Sequence, residues 1–157
     1  MKEAALFSKL DHIGLVVRDL EGSMKFLESL GLGPFKTHPV SRTETVIQGR
    51  VVANESLRNK IAFGRMGEMS LQLIQPAEGK SAQREFLDTR GEGLHHLAFN
   101  VDDIDGVVAT LRRRNVTPLY ECKLEGGGGM AYFELENGGL TFELVQWPGV
   151  PPSALYP

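Results

Sequence analysis

Two stretches of this chain, 84 residues apart, can be laid on one another without a gap, and that repeat constrains the fold more than any other feature. His12 falls on His96, Asp19 on Asp103, Leu20 on Ile104, Gly22 on Gly106, Leu27 on Leu111 and Pro34 on Pro118. Each copy opens with a short apolar run, IGLVV or LAFNV, and meets an acidic turn, RDLEG or DDIDG. A helical pattern follows, with Asp19 and Asp103 standing where a carboxylate can cap free N–H groups. A second pair of segments, 61–75 and 132–146, aligns at an offset of 71, with Gly67 on Gly138 at a tight turn. Each of these reads as two strands. The first half adds a strand before them, ETVIQGRVVA at 44–53, and the second a looser stretch, LYECKLEGGGG at 119–129.

The expected fold is therefore α+β, with two tandem βαβββ modules at 9–76 and 93–147 inside a single domain of residues 1–157. A linker helix is expected within 77–92 and a Pro-rich tail at 148–157. The helices lie outside a curved mixed sheet.

Strand alternation then sorts the polar residues, because successive side chains point to opposite faces. Ile13, Leu15 and Val17 go to the helix side, and His12 and Gly14 to the other. Leu97, Phe99 and Val101 go to the helix side, and His96, Ala98 and Asn100 to the other. His95 falls with the helix-facing set, as a half-buried histidine held by local hydrogen bonds. In the closing strands Gln72 is flanked by Leu71 and Leu73, and Glu143 by Phe142 and Leu144. A carboxylate in the middle of LTFELVQ is costly to bury unless it is paired or coordinated. His12, Gln72, His96 and Glu143 thus occupy two pairs of equivalent positions on one face. Packed with approximate two-fold symmetry, they converge on a metal-centred cleft. Two imidazoles and two oxygen donors suit one divalent ion such as Co, Zn, Ni or Mn.

Composition excludes several function classes. The formal net charge is −3, and the one basic cluster, Arg112 to Arg114, sits late in a helical pattern, so no nucleic-acid partner is expected. No apolar stretch reaches the length of a membrane span. A single cysteine, Cys122, read as a packing residue, leaves no disulfide framework and points to a cytoplasmic protein.

The motifs DHIGLVVRDL, GLHHLAFNVDDID and GGLTFELVQ resemble the vicinal oxygen chelate superfamily, which holds the glyoxalases, bleomycin-resistance proteins and dioxygenases, over roughly residues 9 to 147. Within it the pattern is most similar to methylmalonyl-CoA epimerase, through DHIG, LQLIQP at 71–76, REFLDTRGEG and the GLHH–VDDID stretch. The resemblance implies metal ligands at His12, Gln72, His96 and Glu143, the four that alternation selects. It also implies Glu143 as a proton-transferring carboxylate and a homodimeric assembly. Glu44 and Lys60, in first-half strands, are candidates for a second base. Asn100, on the face of His96, and Gly128, in a glycine-rich hairpin over the site, are candidates for contact with a small-molecule substrate. The stretch 123–139 differs from the epimerases in lacking their His and Lys there. The implied function is a metal-dependent isomerase or epimerase that stabilises an enolate of an oxygen-chelating, methylmalonyl-CoA-like substrate. The alternatives are a glyoxalase I-like lyase and a non-catalytic small-molecule binding protein.

Overall fold

The computed structural model describes residues 7, 10–53, 59–77, 79, 81–134 and 139–149. Its elements in chain order are β1 (Leu10–Val16), α1 (Leu20–Ser29), β2 (Lys36–Thr37), β3 (Arg42–Ile47), β4 (Arg50–Val52), β5 (Lys60–Met66) and β6 (Met69–Gln75). After them come α2 (Ala82–Arg90), β7 (Gly93–Asn100), α3 (Ile104–Arg113), β8 (Tyr120–Leu124), β9 (Gly129–Glu134) and β10 (Thr141–Gln146). The strands form one mixed ten-stranded sheet in the order β2-β5-β6-β1-β7-β10-β9-β8-β3-β4. The α+β class and the curved sheet with outer helices are as expected.

At its centre the two copies meet. β1 and β7 pair antiparallel, with His12 opposite Ala98 and Gly14 opposite His96. Each is flanked by its module's closing strand in parallel, β6 beside β1 and β10 beside β7. The helices start alike for a reason legible in the sequence. Asp19 accepts from Gly22 N at 3.1 Å and Asp103 from Gly106 N at 3.0 Å. A further free N–H at each start, that of Leu20 or Ile104, donates to the terminal glutamine of the closing strand, Gln75 or Gln146. One face of α1 packs with Val17, Ala62, Leu71 and Leu73, and one face of α3 with Ala131, Phe133 and Leu144. These two outer cores leave the opposite face of the sheet concave.

Two expectations need correction. The segment 44–53 is a hairpin, β3–β4, rather than one strand, and it leaves its own module: β3 pairs with β8 of the second half. The place beside β5 is taken by the two-residue strand β2. Also, the ungapped alignment of 61–75 on 132–146 holds only for the closing strands. Phe63 stands opposite Gln72, whereas Tyr132 stands opposite Glu143, so the second hairpin is two residues longer at its turn. Two extra residues preserve the alternation of faces, which is why the alignment still paired inward residues with inward ones. Gly138 and the tail at 150–157 lie outside the described residues, and α2 realises the linker helix within 77–92.

The relocated hairpin has a consequence for the cleft. β2 lies at one end of the sheet and β3 near the other, yet only residues 38–41 join them. Five extended Cα steps reach at most ~18 Å, so the sheet is curled until its ends nearly meet. Val40, in this connection, packs with Trp147 against the inner clusters of both halves. The concave face is thereby sealed along that side.

Candidate metal centre

All four expected ligands lie on the concave face, and none is exposed to solvent. His12 and His96 are 0% exposed, Glu143 1% and Gln72 3%. His12 Nε2 lies 3.2 Å from His96 Nε2 and 3.3 Å from Glu143 Oε2, and His96 Nε2 lies 2.9 Å from the same oxygen. Donors held ~2.1 Å from one ion at right angles are themselves ~3.0 Å apart, so the three atoms have the spacing of one face of a coordination shell. Glu143 Oε2 has the two imidazole nitrogens beside it, while Glu143 Oε1 and Gln72 Oε1 are buried and accept no hydrogen bond among the described residues. Leaving a buried acceptor unpaired costs about 1–3 kcal/mol, which a cation among these donors would relieve. The donor set and its orphaned oxygens fit a divalent metal.

Electrostatics in the metal-free protein say the same. Burial opposes a charge on His12, but its hydrogen bond to Asp11 and the nearby Glu143 carboxylate outweigh that, holding its pKa up at about 9. Burial likewise opposes ionisation of Glu143, and the attraction of His96 and His12 overcomes it, to about 2. A proton on His12 is thus a stand-in for positive charge that the site is built to hold. Burial drives His96 the other way, below its ordinary value.

Asp11 was not singled out from sequence, yet it supports the site. Its Oδ2 is 2.8 Å from His12 Nδ1, which fixes the proton on Nδ1 and turns Nε2 toward the other donors. Asn100 Nδ2 donates to Asp11 Oδ1 and Trp147 Nε1 to Asp11 Oδ2, each at 3.3 Å. Asn100, expected at the substrate, is therefore engaged in orienting a ligand's partner. Gly14 is a second such residue. A Cβ on it would overlap the imidazole of His96, so the ring packs directly on the glycine backbone. Glycine inside a strand, two residues from His12 and on its face, is the signal that could have found it.

His95 departs from its expected face. The β1–β7 register slips between Gly14–His96 and Leu15–Leu94, leaving His95 as an extra residue. Such a bulge re-aims side chains and defeats strict alternation. His95 is buried, with its Nδ1 2.9 Å from His96 Nδ1 and its ring edge-on to Tyr132 and Phe86. Burial and then the neighbouring His96 push its pKa down to about 3, so the ring is neutral. It also lines a cavity of about 610 Å³ under α2, with Tyr132, Thr141 and Phe86.

The remaining expectations do not reach the site. Glu44 stands one residue from Thr45, whose partner Cys122 is in the inner cluster, so Glu44 points to the outer face and is exposed. Lys60 shares the outer face with Ala62 and is exposed as well. Both are corrected as bases for the same reason: alternation places them on the wrong side. Gly128 has φ +74 and packs against the Gln146 carbonyl, so it serves the β8–β9 turn and not a substrate. Two aromatic rings lie beside His12: Phe63 is edge-on to its ring, and Trp147 is tilted against it at 6.4 Å. Cys122 is a buried packing residue, its thiol pushed up by burial.

The chain is similar to known proteins over most of its length. The model of the Glyoxalase/Bleomycin resistance protein/Dioxygenase superfamily matches residues 11–133. The uncharacterised protein YqjC of Bacillus subtilis (strain 168) is 29% identical over 145 residues, covering 90% of this chain and 94% of that one. The mitochondrial methylmalonyl-CoA epimerase of Homo sapiens is 25% identical over 142 residues, covering 88% and 73%. Among solved structures, the methylmalonyl-CoA epimerase of Mycobacterium tuberculosis superimposes with a TM-score of 0.69 at 24% identity, covering 98% of this chain and 96% of that one. Among the described residues no helix is long and apolar enough to cross a membrane.

Proposed function

The chain belongs to the glyoxalase/bleomycin resistance/dioxygenase superfamily, and from that premise we propose that it is a metal-dependent epimerase or isomerase of a small acyl thioester of the methylmalonyl-CoA kind. The observation that carries this reading is the pair of buried acceptors without a hydrogen bond, Gln72 Oε1 and Glu143 Oε1, beside two imidazole nitrogens on the concave face of the sheet.

His12, Gln72, His96 and Glu143 would hold one divalent ion, of the class of Co, Zn, Ni or Mn. That ion supplies Lewis acidity toward substrate oxygens, worth several kcal/mol where negative charge develops. Glu143 remains ionised throughout the physiological range, so it is ready to accept a proton. Glu143 would take the proton from the carbon between the two substrate carbonyls, and inversion follows when a proton is delivered to the opposite face of the planar enolate. As neutral donors His12, His96 and Gln72 would leave the site's net charge positive, which favours an enolate over its parent thioester. Val40 and Trp147 cover one side of the concave face and shield the site from bulk water there.

One observation favours a second reading. Phe63 and Trp147 lie beside the His12 ring, and among the described residues the two expected second bases, Glu44 and Lys60, are exposed on the outer face. Chemistry that needs one base, as in a glyoxalase I-like lyase acting on a hemithioacetal, suits that arrangement. Incubating the Co-loaded protein with methylmalonyl-CoA in D2O separates the two. Deuterium at the α-carbon, absent with Glu143→Gln, is the expected result. No exchange above a His96→Ala control removes the epimerase reading, and turnover of methylglyoxal with glutathione then supports the lyase.

A further inference from the structure

Asp11 and His95 occupy equivalent positions in the repeat, and each immediately precedes a histidine of the site. Each also contacts the far nitrogen of that histidine, Asp11 Oδ2 at 2.8 Å from His12 Nδ1 and His95 Nδ1 at 2.9 Å from His96 Nδ1. The two partners differ in chemistry. An ionised carboxylate can only accept, so His12 donates from Nδ1. Between two imidazole nitrogens one proton is shared, and either ring can own it.

The direction of each nitrogen decides which. Nε2 of His96 faces the other donors, 3.2 Å from His12 Nε2 and 2.9 Å from Glu143 Oε2, and a nitrogen that ligates a metal carries no proton. The proton of His96 then sits on Nδ1, which faces His95 at 2.9 Å, and is donated to it. We propose that His95 is a positioning residue that holds His96 in its Nε2-free tautomer, as Asp11 holds His12, but with a neutral acceptor in place of an anionic one. This rests on the reading of the four donors as a metal site. The bulge supports it, because a histidine with a merely structural part on the helix side would not have to be swung across the sheet. A neutral acceptor also raises the donor strength of its partner less than a carboxylate does, so His96 is the weaker imidazole of the pair. His95 then carries its own proton on Nε2, and it lines the cavity under α2. A ligand oxygen in that cavity can accept from it, which would couple cavity occupancy to the metal site through one ring.

The test uses the full chain loaded with Zn or Co. Long-range ¹H–¹⁵N spectra of the Zn form should show His96 protonated at Nδ1 and His95 at Nε2. Affinity for Co, by chelator competition, should fall 10–100-fold in His95→Leu. His95→Asn, whose Oδ1 can stand in for Nδ1 as acceptor, should stay within ~3-fold of wild type. A proton found on Nδ1 of His95, or a folded His95→Leu that binds Co as tightly as wild type, overturns the proposal. Should His95→Leu fail to fold, the tautomer in wild type still decides. Wild type that binds neither ion overturns the metal reading itself, and is told apart because no variant is needed to see it.

Discussion

In the first half of the molecule the site receives His12, backed by a carboxylate, together with the amide of Gln72. In the second half it receives His96, backed by a neutral histidine, together with the carboxylate of Glu143. The backbone treats the halves as copies, down to Val17 N bonding Ile74 O and Val101 N bonding Val145 O, each at 2.9 Å. Charge does not. Each half supplies one carboxylate, but in the first it stands behind the ligand and in the second it is one of the donors. Duplication explains how four donors come to one point, and divergence explains why only one of them can move a proton.

Making the second half more like the first should have the largest effect. Glu143→Gln converts the closing strand to the pattern of Gln72 and removes the proton acceptor. A loss of about 10²–10⁴-fold in α-proton exchange is expected, with metal binding weakened as well. Gln72→Ala should weaken the metal while leaving exchange per bound ion within severalfold. Equal losses per bound ion in the two variants would mean that Glu143 acts as a ligand alone, and the asymmetry argued here would fail.

Gly14 and Ala98 are equivalent in the repeat and face each other's histidine across the central pair. The ring of His96 lies on Gly14 with no room for a Cβ, whereas Ala98 accommodates one beneath full burial. Gly14→Ala should therefore destabilise the fold by about 1–3 kcal/mol through overpacking and displace His96 from the other donors. The reciprocal Ala98→Gly should cost only ~0.5–1 kcal/mol and leave metal affinity unchanged. Urea melts with a parallel Co titration check both. Comparable costs at the two positions would show the rings to be seated alike.

The metal-free histidines should also part company with pH. The pKa of His12 is raised by its carboxylates, so its charge stabilises the fold fully below the unfolded value of ~6.5 and is lost as pH climbs through about 9. His96 is depressed by burial, so its neutral form stabilises above ~6.5 and that contribution fades as pH falls. Stability without metal should then be greatest near pH ~6.5 and decline on both sides. Imidazole resonances that titrate together would contradict this.

How far the sequence carried the argument depended on which physical rule applied locally. Period-two alternation needs no knowledge of topology, so the inward placement of His12, Gln72, His96 and Glu143 could be read directly. His95 could not be placed that way, since a single inserted residue resets the alternation and leaves no mark in composition. Nor could the destination of β3, because a strand that pairs with the far half looks in sequence like one that stays. Glu44 and Lys60 were misread for want of a face assignment. Both lie on strands whose inward residues, Thr45 and Phe63, are identified by their partners across the ladder. Asp11 was legible in principle, as the residue the repeat sets against His95.

The smallest expected effect tests the symmetric part of the comparison. Gln75 and Gln146 each accept from a free N–H at the start of their own module's helix, at 2.9 Å from Leu20 N and 3.0 Å from Ile104 N. These contacts tie the closing strand of each half to the start of its helix and have no part in the chemistry. Gln75→Ala and Gln146→Ala should each cost about 1 kcal/mol, the net worth of one part-buried hydrogen bond. In a chain of this length that is a fall in Tm of roughly 2–4 °C apiece. The two glutamines share no bonding partner, so the double variant should lose the sum within ~0.5 kcal/mol. Metal content and exchange rate should stay at the wild-type level in all three. A much larger cost in one half than in the other would show that the modules, though alike in backbone, are not alike in how their helices are held, and the inherited symmetry would then stop at the central strands.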